Sequence, residues 1–523
     1  MSLRRVGRLV AMVLATLLFA ACGQVYRPVV IPCSEQGIPG CPVQYPPTPA
    51  NFHAVFAIST NAPNNPGGAL QIDVSGDSII GETPTSNPTA PNLGDVPTHA
   101  AILPNNSRVF VASAGSVLLG GLDVVSSFGP ASQSAFSSGF GPVTTVPLPT
   151  GSQPVFVNTT QSNAVYVANF GTNSVSVVNP STNVVVNTVP VAGVNPVSLA
   201  ELPNATKLYV ANQGTSQANS SSVSSLNVAD LSSNPVTGFT GTNPVWIVAR
   251  GDSQKIYVLT QGDGQLVTID TATDTVSSSL PVGAGANFIF FDPILNRLYV
   301  TNPLTSTLYV FSDTGGANDT PLQLTAISFA AGSAPCPSGC APISVTALAD
   351  GTRFYVASLQ QPAGACPDPT VTGSCVIPGL TVFNANSLSL QYPSAPTLRL
   401  LTCPLLTGSN CSAPYPFAAG QYALPSVAAC VSPVLPALYT PGATRFRIFT
   451  TASVDSSHVY VGMCDAGYIA DIITTGSNTN GSGDNSVAPD TLVTDLPTAF
   501  GAGPIQANGY PANQNPIFMM PGQ

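Results

Sequence analysis

A short apolar segment with an aromatic residue at its centre recurs along most of the chain. The aromatic residue is flanked by aliphatic residues, many of them β-branched, and this composition favours a strand over a helix. The aromatic residues of the seven clear copies are Phe110, Tyr166, Tyr209, Tyr257, Tyr299, Tyr355 and Tyr460. Residues 55–57, centred on Phe56, form a weaker eighth copy. The recurrence predicts eight similar structural units.

The residues around each copy also repeat. In several units a proline lies 13 residues before the aromatic residue, followed by an apolar strand and a polar turn. Alternating segments such as 173–178 and 265–270 follow the aromatic strand, and a further turn and strand complete the unit. Each unit therefore contains four short strands, which we label A to D, over about 42 to 56 residues where no large loop intervenes. Four-stranded units at this period predict an all-β fold, a β-propeller with eight blades by count and seven as the alternative.

The repeat resembles a known family. Residues 298–302 contain the string Tyr-Val-Thr-Asn, and the stretch 165–196 resembles the YVTN-type propeller repeat. The resemblance covers most of residues 52–518 and is strongest over 154–302. It implies a propeller related to those of surface-layer and lactonase-like proteins. It is informative about fold and says little about function.

The ring of blades needs a closing strand. The first copy, near Ala54, has no A strand before it, whereas residues 515–519 resemble the A strand at 243–247. We therefore expect the C-terminal strand to complete the first blade, which would remove two open sheet edges.

The N-terminus has the pattern of an export signal. Arg4, Arg5 and Arg8 precede an apolar run over 9–19, which is too short to span a bilayer. Small residues before Cys22 resemble the bacterial lipobox, which implies a signal peptide over 1–21 and lipid on Cys22. The alternative is an ordinary signal peptide cut elsewhere. We expect a Pro-rich tether over 22–50, the propeller over 51–523, and a location in the cell envelope, with Gly23 favouring the outer membrane.

The composition narrows the possible partners. Charged residues make up 7% of the chain, compared with about 25% in ordinary soluble domains, and the net charge is −10. This acidic composition lacks the basic surface that nucleic-acid binding requires. The membrane, through the lipid, and an envelope protein or small molecule are the expected partners.

The cysteines also indicate an oxidising compartment. If Cys22 carries lipid, ten of the eleven cysteines remain for disulfides. Five disulfides are the simplest interpretation, although the sequence does not fix their connectivity: the cysteines fall in four close pairs, Cys33 and Cys41, Cys336 and Cys340, Cys366 and Cys375, and Cys403 and Cys411, with Cys430 and Cys464 remaining. The chain has no C-x-x-C pattern and only three histidines, so no metal site is expected.

The cysteines also indicate which face of the propeller carries long loops. The B–C loops and D–A connections share one face of a propeller, which we call the loop face. Most of the paired cysteines fall in these connections, and a disulfide-bearing insertion near 402–444 is expected between the D strand of one blade and the A strand of the next. Rigid scaffolds often carry binding residues on such loops. The alternative is that the disulfides only stabilise long loops.

One set of residues is expected to line the central channel. Two places after the repeat proline lie mostly aromatic residues: His99, Phe156, Trp246, Phe288, Phe449 and Phe518, with Ser198 and Ser344 in the other two units. Because strand A is innermost, these residues should form a ring near the channel mouth on the loop face, where they could hold a small ligand. Packing between blades explains the same residues equally simply.

No familiar catalytic signature, such as G-x-S-x-G, H-E-x-x-H or a Walker A motif, is present, and no cofactor is expected. The sequence therefore favours a non-enzymatic binding or surface-scaffold protein that acts through its loop face. The alternative is a lactonase-like hydrolase with a site at the channel mouth. A third class, surface-layer or adhesion structure, would show self-association.

Overall fold

A computed structural model of the chain describes residues 54–61, 65–74, 78–84, 96–115, 123–129, 143–159, 164–312, 323–362, 366, 373–398, 400–401, 423–427, 430, 446–475, 489–497 and 515–522. All of them belong to the compact unit Thr48–Gln523. The expected signal peptide, Cys22 and the tether lie outside the described residues. So do Cys33, Cys41, Cys403 and Cys411.

The described strands form eight four-stranded antiparallel sheets, so the chain is an eight-bladed β-propeller. From the innermost strand outward, blade 1 is β32 (Asn515–Pro521), β1 (Ala54–Asn61), β2 (Asn65–Asp73), β3 (Ser78–Pro84); blade 2 is β4 (Val96–Ile102), β5 (Val109–Ala114), β6 (Val124–Phe128), β7 (Thr144–Pro147); blade 3 is β8 (Pro154–Thr159), β9 (Val165–Asn169), β10 (Ser174–Asn179), β11 (Val184–Pro190); and blade 4 is β12 (Pro196–Glu201), β13 (Lys207–Asn212), β14 (Ser222–Asn227), β15 (Ser233–Pro235).

The second half of the ring repeats this order. Blade 5 is β16 (Pro244–Ala249), β17 (Lys255–Thr260), β18 (Gln265–Asp270), β19 (Thr275–Pro281); blade 6 is β20 (Phe288–Asp292), β21 (Arg297–Asn302), β22 (Thr307–Ser312), β23 (Gln323–Ser328); blade 7 is β24 (Ala341–Ala347), β25 (Arg353–Gln360), β26 (Cys375–Asn384), β27 (Leu424–Pro425); and blade 8 is β28 (Ile448–Ala452), β29 (His458–Met463), β30 (Tyr468–Ile473), β31 (Thr491–Pro497). A short 3-10 helix, Cys464–Ala466, follows β29. None of the described residues form a helix long and apolar enough to cross a membrane.

The C-terminal strand closes the ring as the sequence predicts. Strand β32 pairs antiparallel with β1, with Phe518 opposite Ile58 and Met520 opposite Phe56. Blade 1 therefore takes its inner strand from the end of the sequence and its other three strands from the beginning.

The core lies between blades rather than at one centre. The tyrosines at the centres of the B strands are fully buried: Tyr166, Tyr209, Tyr257, Tyr299, Tyr355 and Tyr460. Tyr299 of blade 6 packs on Phe354 of blade 7, with ring centroids 4.8 Å apart. The outermost strands are much more exposed, as in β11, where Val184 and Val186 face solvent. Each sheet is therefore stabilised mainly by its neighbours.

The repeat proline has a structural consequence in strand A. Six inner strands contain Pro97, Pro154, Pro196, Pro244, Pro342 or Pro516, and in each the pairing register shifts at the residue after the proline. The equivalent residues of blades 6 and 8 are Ala286 and Arg447, and those blades show no register shift there. Proline lacks the N–H that a regular ladder needs, so it is found at strand starts and bulges.

Basic side chains connect adjacent blades on the face opposite the loop face. Lys207, two places before Tyr209, binds Asp274 of blade 5 at 2.8 Å, and the hydroxyl of Tyr209 donates to the same carboxylate. Arg353 and Tyr355 contact Asp490 of blade 8 in the same way. We call each such group of a basic residue, a tyrosine and a turn acid an inter-blade clamp.

The insertion near 402–444 is placed differently from the sequence expectation. Strand β27 lies inside this range and pairs with the start of β26, while Leu390 and Thr397 pair with the end of β26. Among the described residues, two separate segments therefore form the outer edge of blade 7. Part of the insertion accordingly precedes the end of strand D, instead of lying wholly in the D–A connection.

Candidate functional site

The structure brings the predicted channel residues together at the centre of the ring. Their rings form a closed cycle of contacts, with centroid distances of 3.8 Å for His99–Phe156, 4.3 Å for His99–Phe518, 4.9 Å for Phe449–Phe518, 5.6 Å for Phe288–Phe449, 5.1 Å for Trp246–Phe288 and 5.5 Å for Phe156–Trp246. All six side chains are buried. We call this set the aromatic layer.

A seventh ring, which the sequence analysis did not single out, packs against this layer. Phe446 lies in the D–A connection before β28 and contacts Trp246, Phe288 and Phe449, with centroids 4.8 to 5.8 Å apart. No repeat position marks Phe446, because the other units have no aromatic residue at this offset. Its place before strand A puts it on the loop-face side of the aromatic layer.

The small and polar members of the ring bind the backbone of the next blade. Ser198 accepts a hydrogen bond from the N–H of Ile247 at 3.3 Å, and Ser344 accepts one from the N–H of Thr450 at 3.1 Å. These serines leave space in the channel that the larger rings of neighbouring blades fill. Each serine is therefore flanked on both sides by larger rings, which contact each other across it, as Phe156 and Trp246 do across Ser198.

His99 is the one histidine of the aromatic layer, and it is held as a neutral ring. Its Nδ1 donates to the carbonyl oxygen of Val157 at 3.1 Å, and its imidazole stacks on Phe156 and packs against the tilted ring of Phe518. Burial lowers the pKa of His99 to about 3, since no charged partner offsets the loss of hydration, although the Val157 bond opposes the shift. His99 therefore carries no charge at neutral pH.

A cavity of about 490 Å³ lies on the side of the aromatic layer that is away from the loop face. Trp246, Phe288, Phe449 and Phe518 line it, and so do residues from the second halves of the inner strands, including Val248 and Met520. Gly251 and Pro293, in the A–B turns, lie at its rim. The cavity therefore occupies the end of the channel opposite the loop face, which is not where the sequence analysis expected a ligand.

Three disulfides of the described residues lie on the loop face. Cys336–Cys340 closes a short loop between blades 6 and 7, and Cys366–Cys375 lies in the B–C loop of blade 7. Cys430–Cys464 joins the segment after β27 to the B–C turn of blade 8. Cross-links on this face are therefore concentrated on blades 6 to 8.

A buried ion pair reinforces the same region. Arg447 Nε donates to Asp465 Oδ2 at 2.6 Å and Nη2 donates to Asp465 Oδ1 at 2.8 Å, and both side chains are almost completely buried. The backbone N–H of Val427 also donates to Asp465, at 3.0 Å, and Ser426 accepts a bond from Arg447. Because Cys464 precedes Asp465, the ion pair and the disulfide form one junction between the end of blade 7 and blade 8.

The residues that the structure describes contain no group of three or more His, Cys, Asp or Glu side chains placed to hold a metal ion.

Comparison with known proteins finds distant structural similarities only. No protein family and no curated protein matches the sequence. Among solved structures, a putative 6-phosphogluconolactonase from Bacteroides uniformis is similar over 65% of this chain and 95% of its own, with 12% identity and a TM-score of 0.43. Virginiamycin B lyase from Staphylococcus aureus is similar over 73% and 94%, with 12% identity and a TM-score of 0.41.

A third similar structure is the hydrazine synthase of Kuenenia stuttgartiensis, over 67% of this chain and 88% of that one, with 16% identity and a TM-score of 0.39. Similarities this distant carry no argument about activity. The class of protein, a β-propeller, rests on the strand pairing described above.

Proposed function

We propose that the protein is an exported, lipid-anchored β-propeller that binds an envelope component through its loop face and has no catalytic activity. The observation that carries this proposal is the concentration of three disulfides and the buried Arg447–Asp465 pair on one face of blades 6 to 8. Such a rigid surface loses little conformational entropy on binding, which favours affinity. The lipid on Cys22 and the tether over 22–50 would hold this face at the membrane.

The alternative, a lactonase-like hydrolase, is not favoured. An acid–base mechanism at the channel mouth needs a histidine or carboxylate within hydrogen-bond reach of a substrate. His99 instead packs between two rings and donates to a backbone carbonyl, and Phe446 packs against three rings of the aromatic layer on the loop-face side. These contacts support a packed channel at this level rather than a catalytic mouth.

A photo-crosslinking experiment on the two faces of blade 7 tests the proposal. Ser374 and Asn386 are exposed at opposite ends of strand β26, Ser374 on the loop face and Asn386 in the C–D turn. A benzoylphenylalanine introduced at Ser374 should cross-link one defined component of the native envelope. The same residue at Asn386 serves as the matched control and should not.

The outcomes separate the proposed roles. Removal of the Cys366–Cys375 disulfide by a double alanine substitution should weaken the cross-link from Ser374, because the B–C loop would lose its constraint. Equal labelling from both positions would contradict a loop-face site. A cross-link to a second copy of the chain would instead support the surface-layer role.

A further inference from the structure

We infer that the cavity beneath the aromatic layer is a binding site for a neutral, apolar small molecule. This site lies at the opposite end of the channel from the loop face, so it is independent of the proposed function. Its volume of about 490 Å³ falls within the roughly 300 to 1,000 Å³ of small-molecule sites.

The chemistry of the lining determines the class of ligand. The aromatic rings of Trp246, Phe288, Phe449 and Phe518 form its base, and aliphatic and thioether side chains such as Val248 and Met520 form its walls. None of the described residues that line it is ionisable, and Thr451 supplies the one side-chain hydroxyl. A charged ligand would lose its hydration without gaining a counter-charge, so a neutral apolar molecule is favoured.

The base of the cavity is firm and its rim is accessible. The four rings of the base are fixed by their contacts with one another and with His99 and Phe446, so the cavity cannot collapse without disrupting the aromatic layer. At the rim, Gly251 and Pro293 are exposed in the A–B turns. A Cβ atom at Gly251 would contact nothing within 4 Å, so the opening is not obstructed there. A preformed apolar site with an open side is typical of ligand binding.

The sequence provides a built-in reporter, because Trp246 is the single tryptophan of the chain and lies in the base of the cavity. The neutral fluorophore N-phenyl-1-naphthylamine absorbs where tryptophan emits. Titration of the intact protein with it should quench Trp246 saturably, with energy transfer to the bound dye. N-acetyltryptophanamide under the same conditions corrects for absorption by the dye.

Two variants locate the binding to this cavity. Val248→Phe adds a ring to the cavity wall and should weaken binding of the dye at least about tenfold. Val186→Phe makes the same substitution on the exposed outer strand of blade 3 and should leave binding unchanged. If Val248→Phe fails to fold, as judged by its melting curve, Gly251→Leu narrows the rim instead and should weaken binding.

The same titration distinguishes the alternatives. Aromatic rings also attract cations, so phenyltrimethylammonium is tested as a competitor, and laurate is tested as an anionic one. Displacement of the dye by naphthalene but not by either ion at equal concentration supports the inference. Absence of saturable quenching, or equal weakening by Val248→Phe and Val186→Phe, would overturn it. Preferential displacement by phenyltrimethylammonium would overturn the assigned ligand class.

Discussion

Tyr355 on blade 7 donates a hydrogen bond to Asp490 on blade 8, and Arg353 and Tyr392 donate to the same buried carboxylate. Burial and the negative charge of Asp490 raise the pKa of Tyr355 far above its usual range, and burial with the Asp490 bond raises the pKa of Tyr392 to about 12. Both hydroxyls therefore remain protonated donors at any physiological pH. Asp490 thus joins β25 and the segment after β26, both of blade 7, to blade 8.

The inter-blade clamp of blades 7 and 8 should contribute measurably to stability. Tyr355→Phe removes one donor from a buried carboxylate, and we expect a loss of about 1 to 3 kcal/mol in the free energy of unfolding. Tyr299→Phe is the matched control, because Leu388 occupies the turn position of the acid in blade 7, and it should cost less than about 1 kcal/mol. Urea unfolding of both variants measures the difference; equal losses would contradict the assigned role of Asp490.

Closure of the ring should determine whether the propeller folds at all. Deletion of residues 516–523 removes most of β32 and with it Phe518 from the aromatic layer, leaving β1 with an unpaired edge. We expect the truncated protein to aggregate. Deletion of Gln523 alone keeps every described pair of β32 and should be neutral. Size-exclusion chromatography and thermal melting test this; a monomeric truncated protein with an unchanged Tm would show that β32 is dispensable.

His99 should make stability depend on pH. Its pKa is about 3 in the folded protein and about 6.5 when unfolded, so the unfolded chain binds the extra proton between these values. The contribution of neutral His99 to the free energy of unfolding is complete above pH 6.5. It is lost as the pH falls towards 3, by about 1.4 kcal/mol per pH unit. The stability of the wild type relative to His99→Phe should therefore fall by about 2 kcal/mol between pH 7 and pH 5.

The His99→Phe variant is suitable for this comparison because five other blades already have an aromatic ring at the equivalent position. Urea titrations of both proteins at the two pH values provide the measurement. If the difference between the two proteins does not change with pH, His99 is not held neutral by burial.

The disulfides Cys336–Cys340 and Cys430–Cys464 close loops of different length, so they should stabilise the folded protein to different extents. By the chain-entropy relation, Cys430–Cys464, with a sequence separation of 34, should stabilise by about 4 kcal/mol, and Cys336–Cys340, with a separation of 4, by about 2 kcal/mol. Double alanine variants of each pair and thermal unfolding test the order. Non-reducing peptide mapping of the native protein, if it found free thiols at these positions, would contradict the pairing.

Lipid attachment at Cys22 can be tested directly. Cys22→Ser should leave the precursor uncut or release the protein from the membrane fraction, because the diacylated cysteine is then missing. Cys336→Ser is a control that removes a cysteine without affecting the signal. Mass spectrometry that finds an unmodified mature N-terminus would disprove the anchor.

The repeat made the fold predictable from sequence. The aromatic B strands recur in seven clear copies and one weaker copy, and residues 515–519 resemble a strand A, so the blade number and the closure of the ring could be predicted from the sequence. The channel residues were also identifiable, since they share an offset from the proline. Their contacts with one another, and the cavity beneath them, depend on which rings from different blades are close in space. The spacing of residues within one repeat does not determine this.

Contacts between blades were less predictable for the same reason. The basic residues two places before the B-strand aromatic residue are visible in the sequence, but Asp490 lies 135 residues after its partner Tyr355. Phe446 and the Arg447–Asp465 pair follow an irregular insertion and have no counterpart in the other units. Sequence repetition therefore reveals the shared framework, whereas the features that differ between blades need the structure.

The closing strand also imposes an order on folding. Strands β1, β2 and β3 precede every other strand, yet their sheet is complete only when β32, the last described strand, has emerged. Each of the other seven blades consists of consecutive strands, so it can form as the polypeptide lengthens. Blade 1 is complete only when β32 is present. The ring of blades therefore cannot close until residues 515–521, which form β32, have been synthesised.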